Sequence, residues 1–229
     1  MEKLIIVGTS TNAHMAYEFN KMHRLYDVVG FAVNREYRNI ETLYDLPVYC
    51  LEDLHQHYAT TEVKLFVALL WNRLNSDRRK LYEYCKTLGY GIANLISPIA
   101  AVRSEIAGDN VWIQDFVVVQ HNTKIGSDVV IMSHSLVGAN SQIGDHCFLG
   151  AHSVVGGGTS IGEQSFLGLN ATVFDGTTVG RKCIVGACSA VKRNMPDFSK
   201  CSTPTSDVVI KQYDEDEIEG KLLFRKNIR

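Results

Sequence analysis

From Ile113 to Val191 the chain places an aliphatic residue at every sixth position, fourteen in succession, all Ile, Val or Leu. The stretch 137–154, read in sixes as VGANSQ, IGDHCF and LGAHSV, shows the unit. Glycine follows most of the aliphatics, and the fourth residue after each, from 117 to 189, is Val, Thr, Ser, Ala or Cys. Neither the 3.6 period of a helix nor the period of 2 of a long strand produces this pattern. A six-residue repeat predicts a parallel β-helix, with short strands on three flat faces and the aliphatic residue pointing inward. Three hexads make one coil, so residues 18 apart stack, and five coils are expected. The small residue fits the tight interior, and glycine suits the position after the aliphatic because the turn crowds a side chain there.

The pattern before residue 95 is different. The aliphatic runs KLIIVG, YDVVGFAV and VKLFVALL read as three strands, and IANLI as a fourth. AHMAYEFNKMH has the helical spacing of Met15, Phe19 and Met22, and DRRKLYEYCKTLG reads as a second helix stopped by Gly89. Strands alternating with helices predict βαβ units and a parallel sheet. The expected fold is an α/β Rossmann-like domain over 1–95, a parallel β-helix over 96–195 and a C-terminal capping segment over 196–229, containing DEDEIEGKLLFRKNIR. A solenoid has open ends and unpaired sides, which call for caps and favour self-association.

Composition narrows the function classes. A net charge of −2 carries no basic footprint for nucleic acid. No apolar run approaches the length of a membrane span, and the N-terminus ends its apolar run at a glycine turn, as a first strand does. The six cysteines form no CxxC pair and no disulfide framework, which fits reduced thiols and a cytoplasmic location, with no metal site expected.

The chain resembles the bacterial sugar acyltransferases that join a small Rossmann-like domain to a left-handed parallel β-helix, such as the bacillosamine and perosamine N-acetyltransferases and the sialic-acid O-acetyltransferases. The resemblance runs through KLIIVGTSTNAH, RRKLYEYCKTLGYGIANLISPIAAV, IGDHCFLGAHSVV, SFLGLNATV and IVGACSAVKRNMPD. It implies a homotrimer that binds acetyl-coenzyme A in the groove between neighbouring solenoids. It further implies an N-acetyltransferase acting on a nucleotide-linked amino sugar for surface glycan synthesis. An O-acetyltransferase on a sialic-acid-like sugar, or a non-catalytic binding or scaffold relative, are the alternatives.

Two departures from the family matter. The first loop is Gly8, Thr9, Ser10, Thr11, Asn12, and the second strand runs into Val33, Asn34 and Arg35. Dinucleotide binding needs a glycine-lined turn and an acid on the ribose, so NAD is not expected. A nucleotide-sugar site built from Gly8, Ser10, Thr11, Asn12 and Asn34 is, joined by Asn72 and Arg73 after the third strand, with Arg73 facing a phosphate. The second departure concerns the base. The family places a catalytic histidine two residues after a hexad aliphatic, which in this register is Ala139, beside Asn140. Acyl transfer to an amine or hydroxyl needs a proton acceptor, a role suited to histidine. Either a displaced base such as His121, 18 residues earlier, takes over, or the chain as written lacks its base. The intact flanking pattern favours the second reading. His134 and His152 are expected to stack at one corner, with His152 lining the groove, while His146 has a structural role. Gly150, Gly168 and Gly186 form a column without side chains that turn geometry explains and that can also accept a pantetheine arm.

Overall fold

The computed structural model describes residues 1–203. The first 92 residues build a sheet in the order β3-β4-β2-β1-β5-β6. Its centre is β1 (Lys3–Val7), flanked in parallel by β2 (Asp27–Val33) and β5 (Val63–Val67). Alternation along β1 divides the core. Leu4 and Ile6 pack toward α1 (Thr11–His23), whereas Ile5 and Val7 pack on the other face with Tyr82 and Cys85 of α2 (Ser76–Thr87). The buried stripe of α1 is Ala13, Ala16 and Phe19, while Met15 and Met22 are exposed. Gly89, at φ +81°, follows α2 as the sequence predicts.

Three details differ from the sequence reading. The run VKLFVALL leaves the sheet after Val67. The segment IANLI is two strands, because Gly91–Ile92 (β6) closes the first sheet and Leu95–Ile96 opens the solenoid. A hairpin of β3 (Thr42–Leu43) and β4 (Leu46–Cys50) was not expected. Its turn is made by Tyr44 and Asp45, both at positive φ, rather than by the glycine that normally marks such a turn.

The remainder is a left-handed parallel β-helix of two-residue strands stacked in three sheets of seven, six and four strands, deeper on one face than the five coils expected. The pairs Ile131↔Leu149, Val137↔Val155 and Ile143↔Ile161 show the 18-residue register on each face. All fourteen hexad aliphatics point inward, none more than 4% exposed. The small interior residues also bond: the hydroxyls of Ser135, Ser141 and Ser165 donate to the carbonyls of Gly150, Gly156 and Gly180 in the next coil. Of the predicted capping segment, Lys200–Cys201 forms the last strand of the seven-stranded face, and 204–229 lie outside the described residues.

The seven-stranded face is where the two units meet. Its outward Trp112, Val130 and Phe148 join the core beneath α1 and the sheet. At the adjoining corner Arg78 of α2 is completely buried. Its Nε donates to Asp128 Oδ1 at 3.0 Å, and its terminal nitrogens donate to the carbonyls of Asp128, Cys147 and Leu70. Asn110 donates to the same Asp128 oxygen at 2.7 Å, and His146 Nδ1 lies 2.9 Å from the other. His146 thus has the structural role expected of it.

Two outcomes test this architecture. Ile143→Asp buries a carboxylate without a partner and is expected to remove several kcal/mol of stability, a large share of a domain's total. A melting temperature within a few degrees of the parent contradicts the inward assignment. Arg78→Met leaves Asp128 buried without its cation and is expected to cost about 3 to 5 kcal/mol in chemical denaturation. A loss under 1 kcal/mol means that the ion pair does not hold the junction.

Candidate functional site

The sheet order reverses between β1 and β5, and ligands of open α/β sheets bind outside the strand ends at such a point. A cavity of 640 Å³ lies there. Val7, Gly8, Thr9 and Ser10 form one side, and Val33 and Asn34 extend it from the end of β2. Gly8 sits at φ +131°, which permits the sharp exit from β1. Asn72 and Arg73 also line it, and α2 contributes Asp77, Lys80, Leu81 and Tyr84. Of the residues assigned from sequence, Gly8, Ser10, Asn34, Asn72 and Arg73 share this cavity. Thr11 and Asn12 do not line it, because they open the first turn of α1.

Sequence reasoning missed Thr9, Glu36, Tyr37 and the cavity side of α2. Glu36, the next letter after Arg35, puts an acidic residue on the cavity wall just beyond β2. Asn34 is oriented by Glu52, which accepts from its Nδ2 at 3.2 Å and from the Arg35 amide at 3.0 Å. Burial pushes the Glu52 carboxyl up, but hydrogen bonds from its own backbone amide, the Arg35 amide and Asn34, with the Arg35 charge, outweigh it and hold the group below the usual carboxylate range. Arg73 is tied to Asp77, with Nε 2.9 Å from Oδ1, and this hydrogen bond raises its already high pKa. Lys80 stands on the cavity wall without such a pairing among the described residues.

The second candidate region follows the solenoid corners. The third residue after each hexad aliphatic from Ile113 to Val185 is left-handed, and this row contains Asn140, His134, His146 and His152. Asn140 receives a bond from Asn122 Nδ2 at 2.8 Å, which extends the column to the preceding coil. Ala139, half-buried, stands over exposed His121 in the adjacent column, and its amide donates to Gln120 Oε1 at 3.0 Å. The coil beyond is bare: Gly156, Gly157 and Gly158 follow Val155, and the Gly158 amide donates to the Ala139 carbonyl at 2.8 Å. Gly158 and Gly176 have open space where a Cβ would stand. Further along the same edge Phe174 is 46% exposed and Lys192 Nζ lies 5.5 Å from its ring centre.

His134 and His152 do stack, with ring centres 4.9 Å apart and planes within 5°, and Phe116 stacks on His134 from below. They occupy a different corner from Ala139, across the face that carries Leu136–Val137 and Val154–Val155. Gly150 and Gly168 are buried, and a Cβ on either would come within 2.8 Å and 2.6 Å of the next coil's backbone. Gly186 has more room, 3.3 Å. Crowding therefore accounts for the first two glycines without a ligand.

Residues 108–139 and 122–157 match the model described as bacterial transferase hexapeptide (six repeats), and 158–193 match the hexapeptide repeat of succinyl-transferase. The chain is an acyltransferase, and its solenoid carries these hexapeptide repeats over 108–193. Among solved structures this acyltransferase is similar to PerB from Caulobacter crescentus in complex with CoA and GDP-perosamine. The two are 27% identical, with a TM-score of 0.75 over 87% of this chain and 93% of that one. A histidine-to-alanine variant of the Caulobacter crescentus GDP-perosamine N-acetyltransferase, with the same ligands, matches at 28% identity and a TM-score of 0.76 over 87% and 93%. The acetyltransferase domain of PglB from Neisseria gonorrhoeae in complex with acetyl coenzyme A shares the fold, at 21% identity and a TM-score of 0.75 over 88% and 98%. No curated protein matches the sequence.

Proposed function

We propose that this acyltransferase is an acetyl-coenzyme-A-dependent N-acetyltransferase of a nucleotide-linked amino sugar used for surface glycan synthesis. The observation that carries the reading is the pairing of the two units in one chain. A cavity at the switch point of the α/β sheet, with Ser10, Asn34, Asn72, Arg73 and Lys80 on its wall, suits a nucleotide, and a side-chain-free solenoid edge leads away from Ala139. The similarity to PerB covers both units and supports the same assignment.

The solenoid edge fits an extended acyl-pantetheine. Rungs spaced about 4.8 Å apart put roughly 14 Å between Ala139 and the coil of Lys192 and Arg193. Glycines line the route, an exposed ring at Phe174 offers a stacking surface, and the two cations at its end suit phosphates. This path is favoured over the column of Gly150, Gly168 and Gly186, whose first two members are buried. In the transfer, the acceptor nitrogen attacks the thioester carbonyl, the carbon–sulfur bond breaks, and the nitrogen loses a proton. Protein amides near the carbonyl would stabilise the developing oxyanion.

Ala139 has no group to accept that proton. The reading is that a histidine at this position would complete the site and that Asn140 would orient its ring. Ala139→His is expected to raise the single-turnover rate of thiol release from acetyl-coenzyme A by about 10²- to 10⁴-fold, with acceptor affinity nearly unchanged. GDP- and UDP-linked amino sugars serve as acceptors. If the parent is already active and His121→Ala or His152→Ala abolishes that activity, the base is displaced and the assignment to Ala139 falls. A parent chain that binds both ligands while neither it nor Ala139→His turns over fits the non-catalytic relative, which the methyl group at 139 favours.

The site is also proposed to lie between copies in a homotrimer. The face carrying Leu136 and Val154 turns Val118, Leu136, Val154 and Thr172 outward, in contrast to Lys124, Gln142, Ser160 and Thr178 on the third face. Such an uncharged flat surface suits self-association. Light scattering at micromolar concentration is expected to give three times the chain mass of 25.5 kDa. A stable monomer rules out a shared site.

A further inference from the structure

The wall of the nucleotide cavity contains a costly piece of backbone. Arg73, Leu74 and Asn75 have φ of 47°, 54° and 63°, three left-handed residues in succession, none of them glycine. Such residues persist only where their surroundings over-determine them. The α/β domain supplies part of the hold, through the Asn75 amide on the Trp71 carbonyl at 3.2 Å and the Ser76 amide on the Arg73 carbonyl at 3.2 Å.

The rest of the hold comes from the solenoid. Gln164, at a corner of the β-helix and only 3% exposed, reaches across the junction. Its Nε2 donates to the Leu74 carbonyl at 3.0 Å and to Ser76 Oγ at 2.8 Å. Its Oε1 accepts from Arg79 Nη1 at 3.1 Å. The neighbouring Ser165 carbonyl accepts from Asn75 Nδ2 at 3.3 Å. One carboxamide therefore grips the left-handed turn, the first residue of α2 and the helix's first full turn. Gln164 does not line the cavity, but Asn72, Arg73 and Asp77 do, on either side of the residues that it holds.

We infer that Gln164 is a positioning residue, which fixes the Arg73–Asn75 turn from the solenoid side and thereby sets the cavity's affinity for a nucleoside diphosphate. Ligand binding in the first domain then depends on a side chain of the second. This rests on the reading of the cavity as a nucleotide site.

The test uses the full chain and Gln164→Met, which keeps the side chain's length and removes its carboxamide. GDP and UDP are titrated calorimetrically, with CoA as a control for the solenoid. The expected result is about a tenfold weaker nucleoside diphosphate affinity, the scale of one buried hydrogen bond, with CoA affinity unchanged. Hydrogen exchange of the Asn75 and Ser76 amides is expected to accelerate in the variant while exchange in the solenoid core does not. Unchanged nucleotide affinity and exchange overturn the inference, and so does a parallel loss of nucleotide and CoA affinity, which marks general destabilisation. If the parent binds neither nucleotide, the reading of the cavity fails; unchanged exchange at Asn75 and Ser76 would then refute the positioning role as well.

Discussion

Each coil of the solenoid must turn three corners and return, 18 residues on, to pair with its own predecessor. That closure constrains everything else in the second unit. The hexad aliphatics and the small residues between them fill the interior, and the corners take left-handed backbone, mostly at Asn, His, Asp, Gln and Gly. The residue after the aliphatic lies so close to the next coil that a Cβ at Gly138 would stand 2.5 Å from a backbone nitrogen. With the interior closed and the corners fixed, functional variation is confined to outward side chains and to the three corner columns.

The three columns have separate uses. One carries the stacked Phe116, His134 and His152. A second carries Asn122 and Asn140 and then loses its side chains at Gly158 and Gly176. The third carries Asn110, Asp128, His146 and Gln164, all buried beneath α2. A buried carboxylate is tolerated there because Arg78, Asn110 and His146 all face it. The polar ladder gives the junction direction, while the apolar surfaces around Trp112 and Phe148 supply area. Helix α2 therefore has two roles, with Arg78 locked into the solenoid and Asp77, Lys80 and Tyr84 on the cavity.

The histidines show how little residue type decides alone. His121, His134, His146 and His152 all fall at solenoid corners. Only His146 is buried against a carboxylate, and two of the others stack on each other. Position within the hexad separates them: His121 precedes the left-handed residue, whereas the other three occupy it. Ala139 belongs to the His121 column, 18 residues on.

The sequence by itself determined the solenoid, its inward residues and the 18-residue stacking, because a repeat this regular leaves one way to bury its aliphatics. It also determined the alternation of the first domain and singled out the loops after β1 and β5, which line the cavity. It did not reveal the β3–β4 hairpin, whose left-handed turn uses Tyr44 and Asp45, or the division of IANLI between two sheets. Thr11 and Asn12 were drawn into the site by adjacency, although a helix starts there and carries them away. Tertiary structure alone decided that Glu36 and one face of α2 complete the cavity. It alone decided that Arg78 is a buried ion-pair partner and that Gln164 grips a turn 90 residues earlier in the chain. Those contacts join elements with unrelated local periods. No pattern along the chain records them, because they exist only once two separately closed cores have been packed together.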